Sequence, residues 1–352
     1  MEQPSCIREF SRYTVLSVLG TLGVSCYILA DTFFVSKGLG TSGLAALNIA
    51  IPVYNFIHGT GLMIGMGGAT KFSVCKSQGN QMLVDKIYTN TIYLAVLFSI
   101  AFMLPGFFCP RQLAFVLGAD MTILEMTAVY LRWLLLFSPA FILNDVLLCF
   151  VRNDANPQLA MCAMLIGSFF NVIMDYIFIF PLHMGIFGAV FATGISPVIS
   201  ILMMTLHWMK NRNSFHFAGR GICMKVVQWD LSLGFPSLIA QISSGIVMIT
   251  NSECNARLQT IAVTGLKLYF ISTPFVGYNI ILATFFTSIE RAFPAHILSL
   301  LRGLILIIPT AFILSSLWKM TGVWFAYPVT EISAALLGFV IYKNGKKRTA
   351  CH

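Results

Sequence analysis

Long apolar runs broken by short polar stretches set the organisation of this chain. Runs long enough to cross a bilayer as helix, about 20 residues each, fall near 13–35, 44–70, 88–109, 127–150 and 158–181. Further runs lie near 184–208, 231–250, 261–287, 297–317 and 321–342. The pattern predicts an all-α polytopic membrane protein with about ten transmembrane helices. Composition agrees. The 352 residues are 57% hydrophobic and 10% charged, with mean hydropathy +0.83, whereas soluble domains sit near about 45–50% apolar and about 25% charged. The start, MEQPSCIREFSRY, carries two Glu, and the run after it is too long for the h-region of a signal peptide. It is therefore expected to stay as a span.

The net charge of +9 is better explained by loop bias than by nucleic acid. With the N-terminus inside, the inside loops hold Arg8, Arg12, Lys71, Lys76, Lys86, Arg152, Lys210, Arg212, Arg220, Lys225, Arg291, Lys343, Lys346, Lys347 and Arg348. The outside loops hold Lys37, Arg111, Arg257 and Lys319. This positive-inside bias predicts two cytoplasmic termini. Arg132, Lys267 and Arg302 lie near helix ends, where they can snorkel. Nine cysteines without a CxxC or paired spacing imply neither a disulfide framework nor a zinc site.

An internal repeat runs through these spans, as it does in many transporters. LRWLLLFSPAFILNDVLLCFV (131–151) aligns with LKLYFISTPFVGYNIILATFF (266–286). Leu131, Pro139 and Asn144 match Leu266, Pro274 and Asn279 at an offset of 135. Pro157, Gly167 and Gly188 then match Pro294, Gly303 and Gly322. Spans four to six thus repeat as the last three, which leaves span one to pair with span seven. About 90 residues separate spans one and four, whereas only NSECNARLQT separates span seven from the next. A helical hairpin is missing from the second half. The expected domains are residues 1–215, a six-helix bundle, and 216–352, a bundle shortened to about four helices.

Polar residues inside such runs are candidates for function. Tyr27 and Asp31 are four apart on span one, and Asn171 and Asp175 have the same spacing on span five, so each pair shares a helix face. Thr193 lies on span six. Together they offer oxygen ligands suited to a hard cation such as Na⁺, or to a proton relay, since two carboxylates close together in low dielectric cannot both ionise cheaply. Each also has a structural reading: Asp175 as an interhelix hydrogen bond, Thr193 bonded to its own i−4 carbonyl, Tyr27 as an interfacial aromatic. Asn144 and Asp145 read as a water-exposed polar end of span four, with Arg152 and Asp154 following. His58 reads as a packing histidine. Asn144, Asn279 and Glu331 are candidate cavity residues.

At this point the chain resembles the multidrug and toxic-compound extrusion (MATE) family, in the bacterial branch related to the DNA-damage-inducible and staphylococcal-type exporters. The resemblance rests on ADTFFVSKGLGTSGLAALNIAIPV, GMGGATKFSVCKSQGN, FVRNDANPQLAM, NVIMDYIFIFPLHMGIFGAVFAT and STPFVGYNIILATFF. It implies two six-helix bundles and exchange of Na⁺ or H⁺ for organic, often cationic, drugs. It also implies a coupling-ion site at Tyr27, Asp31, Asn171, Asp175 and Thr193, with Asp31 and Asp175 holding Na⁺ where Na⁺ is the ion. No other cofactor, no nucleic-acid partner and no enzymatic activity are expected. The expected location is a bacterial cell membrane. The missing hairpin leaves a second reading, an inactive or regulatory remnant of such an exporter. A lipid-linked sugar flippase of related architecture is a third, disfavoured because the mid-membrane groups are acidic.

Overall fold

The computed structural model describes residues 6–209, 213–218, 221–250 and 292–349, with individual residues between 272 and 286. Among them the secondary structure is helical throughout. Backbone contacts divide the chain into one unit ending at Leu231 and a second beginning at Ser232.

The first unit opens with α1 (Cys6–Ser77), in which Gly40 has φ 67° and ψ −158°. This conformation is open to glycine and strained for other residues. The Tyr27 hydroxyl lies 2.6 Å from that of Tyr54, whereas 27 residues of straight helix would span about 40 Å. The chain therefore reverses at Gly40, and α1 is two antiparallel arms, the two spans expected near 13–35 and 44–70. Asn80 caps α2 (Gln81–Phe108), its side chain accepting from the Leu83 N–H, as N-cap residues do. A short α3 (Pro110–Val116) follows. The expected fourth span is a bent pair, α4 (Leu124–Leu136) and α5 (Ser138–Asn153), meeting at 46°, with Pro139 opening the second piece. α6 (Pro157–Ile179) starts from an Asn156 cap, and α7 (Gly185–Met209) packs against it. α1, α2, α6 and α7 are long and apolar enough to cross a membrane, and the α4–α5 pair adds a fifth if counted as one span.

After α7, residues 213–218 and 221–223 lie along α2. Gln81 donates to the Ser214 carbonyl at 2.7 Å. Asp85 accepts from the His216 N–H at 2.9 Å, Thr89 from Ala218 at 2.9 Å, and Asn90 from Cys223 at 2.6 Å. Positions 81, 85 and 89 share one helix face, so α2 presents a ladder of side chains to a segment with free backbone groups. The Phe215 ring sits among Phe72, Tyr88 and Phe150. α8 (Met224–Thr250) begins at the end of this strap, and Thr91 donates to Asp230 at 2.7 Å.

Asp154 anchors the same corner. It accepts from Lys76 at 2.5 Å, from His207 at 2.9 Å and from the Ser214 N–H at 2.8 Å. Asn156 Nδ2 lies 3.3 Å from His207 Nδ1, which leaves His207 Nε2 as the protonated donor to Asp154. Burial alone would push Asp154 up, but these bonds hold its carboxyl below the usual carboxylate range. The expectation of a water-exposed polar end is corrected here: Asp154 is buried, because three elements converge on it.

In the second unit, α9 (Ala292–Leu300) runs through a π-helical turn (Leu301–Ile305) into α10 (Ile307–Thr349). The Thr310 and Thr330 hydroxyls are 2.9 Å apart, so α10 also folds back on itself. A Cβ at Gly322 would lie 1.7 Å from the Leu314 carbonyl oxygen, which marks the reversal. These arms correspond to the runs near 297–317 and 321–342. The loop NSECNARLQT, Pro274 and most of the run near 261–287 lie outside the described residues.

Candidate functional site

The five sequence candidates come from three elements of the first unit. Asp31 is 7% exposed on the first arm of α1, Asn171 and Asp175 are 1% and 0% exposed on α6, and Thr193 is 5% exposed on α7. Asp31 and Asp175 lie close enough for each charge to act on the other. Asp31 Oδ1, both carboxyl oxygens of Asp175 and both amide atoms of Asn171 are buried without a hydrogen-bond partner in the protein. Such groups are costly, since an unmet buried acceptor or donor forfeits about 1–3 kcal/mol, and more when charged. Four of these atoms are oxygens able to coordinate a hard cation, and a proton on either carboxyl would relieve the pair equally well. The donor set therefore fits Na⁺ or H⁺. Thr193 is already engaged: its hydroxyl donates to the Ala189 carbonyl at 3.0 Å, leaving only its lone pairs for a ligand.

Tyr27 does not stand alone. Its hydroxyl shares the bond with Tyr54 on the second arm of α1. Tyr130, on α4, faces Thr193 and feels the charges of Asp31 and Asp175. Neither Tyr54 nor Tyr130 stands out in the sequence. His58 Nδ1 lies 2.7 Å from Asp145 Oδ2, joining α1 to α5. Asp145 and Asn144 are both buried, so the reading of this end of span four as water-exposed is corrected. Helix α5 is covered on several sides by α1, α2 and α7.

The repeat-related asparagines behave alike. Asn144 and Asn279 are buried, and each leaves its Oδ1 without a partner. In the second unit, Asn279 donates to Glu331 Oε2 at 2.8 Å and to its carbonyl at 2.9 Å, and Arg302 Nε reaches Glu331 Oε1 at 2.9 Å. The Glu331 charge is thus met within the protein, unlike those of Asp31 and Asp175.

Comparison with known proteins gives this geometry a context. The MatE family matches residues 17–177, which contain four of the five candidates. The multidrug export protein MepA of Staphylococcus saprophyticus is 24% identical over 247 residues, 70% of this chain and 55% of the relative. MepA of Staphylococcus aureus MRSA252 is 26% identical over 210 residues, 60% of this chain and 47% of the relative. The chain thus matches about half the length of these curated relatives. Among solved structures, the MATE multidrug transporter DinF-BH in complex with rhodamine 6G superposes with TM-score 0.87 at 19% identity, covering 97% of this chain and 96% of that one. A transporter of the MOP superfamily from Pyrococcus furiosus superposes with TM-score 0.83 at 19% identity, over 97% and 95% of the two chains. At that identity the superpositions speak for the fold alone. Residues 17–177 of this chain match the MatE family, and the sequence and fold are similar to those of MATE-type multidrug exporters.

Proposed function

We propose that this chain is a cation-coupled antiporter that takes in Na⁺ or H⁺ and exports drugs or organic cations across a bacterial cell membrane, both termini cytoplasmic. The observation that carries this reading is the cluster of five buried, unpartnered polar atoms on Asp31, Asn171 and Asp175. A fold pays the cost of such a cluster where a ligand meets it in one state and leaves in another. Uptake of the cation at Asp31 and Asp175 biases a two-state equilibrium by its differential affinity for the states. The names of the MepA relatives and of the rhodamine 6G complex support a small-molecule cargo. The short interval between spans seven and eight favours a second reading, an inactive or regulatory partner of a full-length exporter.

Ethidium efflux from a pump-deficient bacterium expressing the chain separates the two, with protein level checked in membranes. The antiporter reading expects cation-dependent efflux that falls to host background in Asp31→Asn at unchanged abundance. Normal efflux by that variant would refute the site. Stable wild-type protein without efflux would favour the partner.

A further inference from the structure

We infer that His58 and Asp145 form a second proton-carrying site in the first unit, distinct from the Asp31–Asp175 pair. His58 Nδ1 lies 2.7 Å from Asp145 Oδ2, and their side chains are 21% and 7% exposed. His58 Nε2 is buried without a hydrogen-bond partner, as is Asn144 Oδ1, on the residue preceding Asp145. The approach is made possible by Gly61, where a Cβ would sit 2.7 Å from Asp145 Oδ2. Rings of Tyr54 and Phe141 close the imidazole from two sides, at 4.5 and 5.5 Å between centroids.

The chemistry follows from charge. A carboxylate this deeply buried is unstable beside a neutral imidazole. The low-energy state holds one further proton, on Asp145 or on His58 Nε2, across the 2.7 Å contact. Arrival of that proton at Nε2 turns an unmet acceptor into a donor and leaves an imidazolium against a carboxylate. Among the described residues, the other ionisable groups at this corner are Tyr27 and Asp31 on α1, Tyr130 on α4, Asp175 on α6, and Cys149 and Arg152 on α5. Asp31 and Asp175, when ionised, add to the pull on a proton, whereas the neutral phenols and thiol do not. Arg152, which acts on Cys149, opposes it. Tyr54 touches His58 on one side and Tyr27 on the other, which places the pair one side chain away from the first site.

The test needs no drug and reads the protonation of His58 directly, so its outcome is independent of whether the chain transports. The full chain, labelled with ¹³C,¹⁵N-histidine in lipid nanodiscs, would be titrated by NMR from pH 8.5 to 5. The His58 signal is assigned by its loss in His58→Gln, and exposed His216 serves as internal reference. A one-proton step in the His58 signal is expected, with a midpoint that falls by about one pH unit or more in Asp145→Asn, because the imidazolium loses its counter-charge. A His58 signal that stays fixed while His216 titrates would overturn the proposal, and the wild-type titration decides this even where Asp145→Asn fails to fold. An unchanged midpoint in a folded Asp145→Asn would overturn it too.

Discussion

Gly40 is the residue on which the first two spans turn. Its positive φ excludes a side chain for backbone reasons alone, since a Cβ there would meet nothing within 4 Å. Gly40→Ala should therefore destabilise the protein by about 1–3 kcal/mol without creating a clash, read as a lower thermal midpoint in detergent. An unchanged midpoint would mean that the arms reverse by another route. The same scale shows what the sequence could reveal about the site. Asp31, Asn171, Asp175 and Thr193 stand out because polar groups are conspicuous in apolar runs. Tyr54 does not, and His58 reads only as a packing histidine, although they too are four apart, the spacing that marks Tyr27 with Asp31. Their meaning depends on which helix each faces, and helix rotation is decided by packing between elements far apart in sequence.

Between elements, buried charges decide which contacts are indispensable. Arg302 is the cationic partner of Glu331 at the π-helical turn, with side-chain exposures of 19% and 2%. Arg302→Met should cost about 3–5 kcal/mol, because it strands a buried carboxylate. Adding Glu331→Gln should recover much of that loss, and a double variant no better than the single would show that the pair is not the source. Asp154 is a case for pH. Its carboxyl titrates below its ordinary value of about 3.9, so its stabilising contribution is complete above that value. The contribution is lost as pH falls through the lower folded value, which confines the effect to below about pH 4. Thermal midpoints between pH 6 and 3 should decline less steeply in Asp154→Asn than in the wild type, and parallel curves would exclude this link. Sequence alone puts Asp154 in water because it follows the end of a span. It could not disclose that Lys76, His207 and Ser214 close over it.

For the whole molecule, the run lengths predicted most helices of the first unit, and charge bias predicted an orientation. Two cysteines make that orientation measurable. Cys109 is exposed at the end of α2, and Cys223 precedes α8 on the strap at the other end of the bundle. A hydrogen bond from the Val226 N–H, with Lys86 nearby, holds the Cys223 thiol below the usual thiol range, so it should react readily. In single-cysteine variants, a membrane-impermeant maleimide should label Cys223 in inverted vesicles and Cys109 in right-side-out ones. The opposite pattern would place the termini outside. What length and charge could not foretell is where the first unit ends. The strap and the start of α8 belong to it through hydrogen bonds to α2, and such bonds leave no periodic trace in an extended segment.

The strap also has a consequence for biogenesis. Gln81, Asp85, Thr89, Asn90 and Asp154 all precede residues 213–223 in the chain. During synthesis, each partner has been made before the strap leaves the ribosome. The strap can therefore dock on the finished first bundle before most of the second unit exists, closing one folding event before the next begins. In a chain assembled in that order, the strap's contacts draw only on residues already made, whatever helices follow.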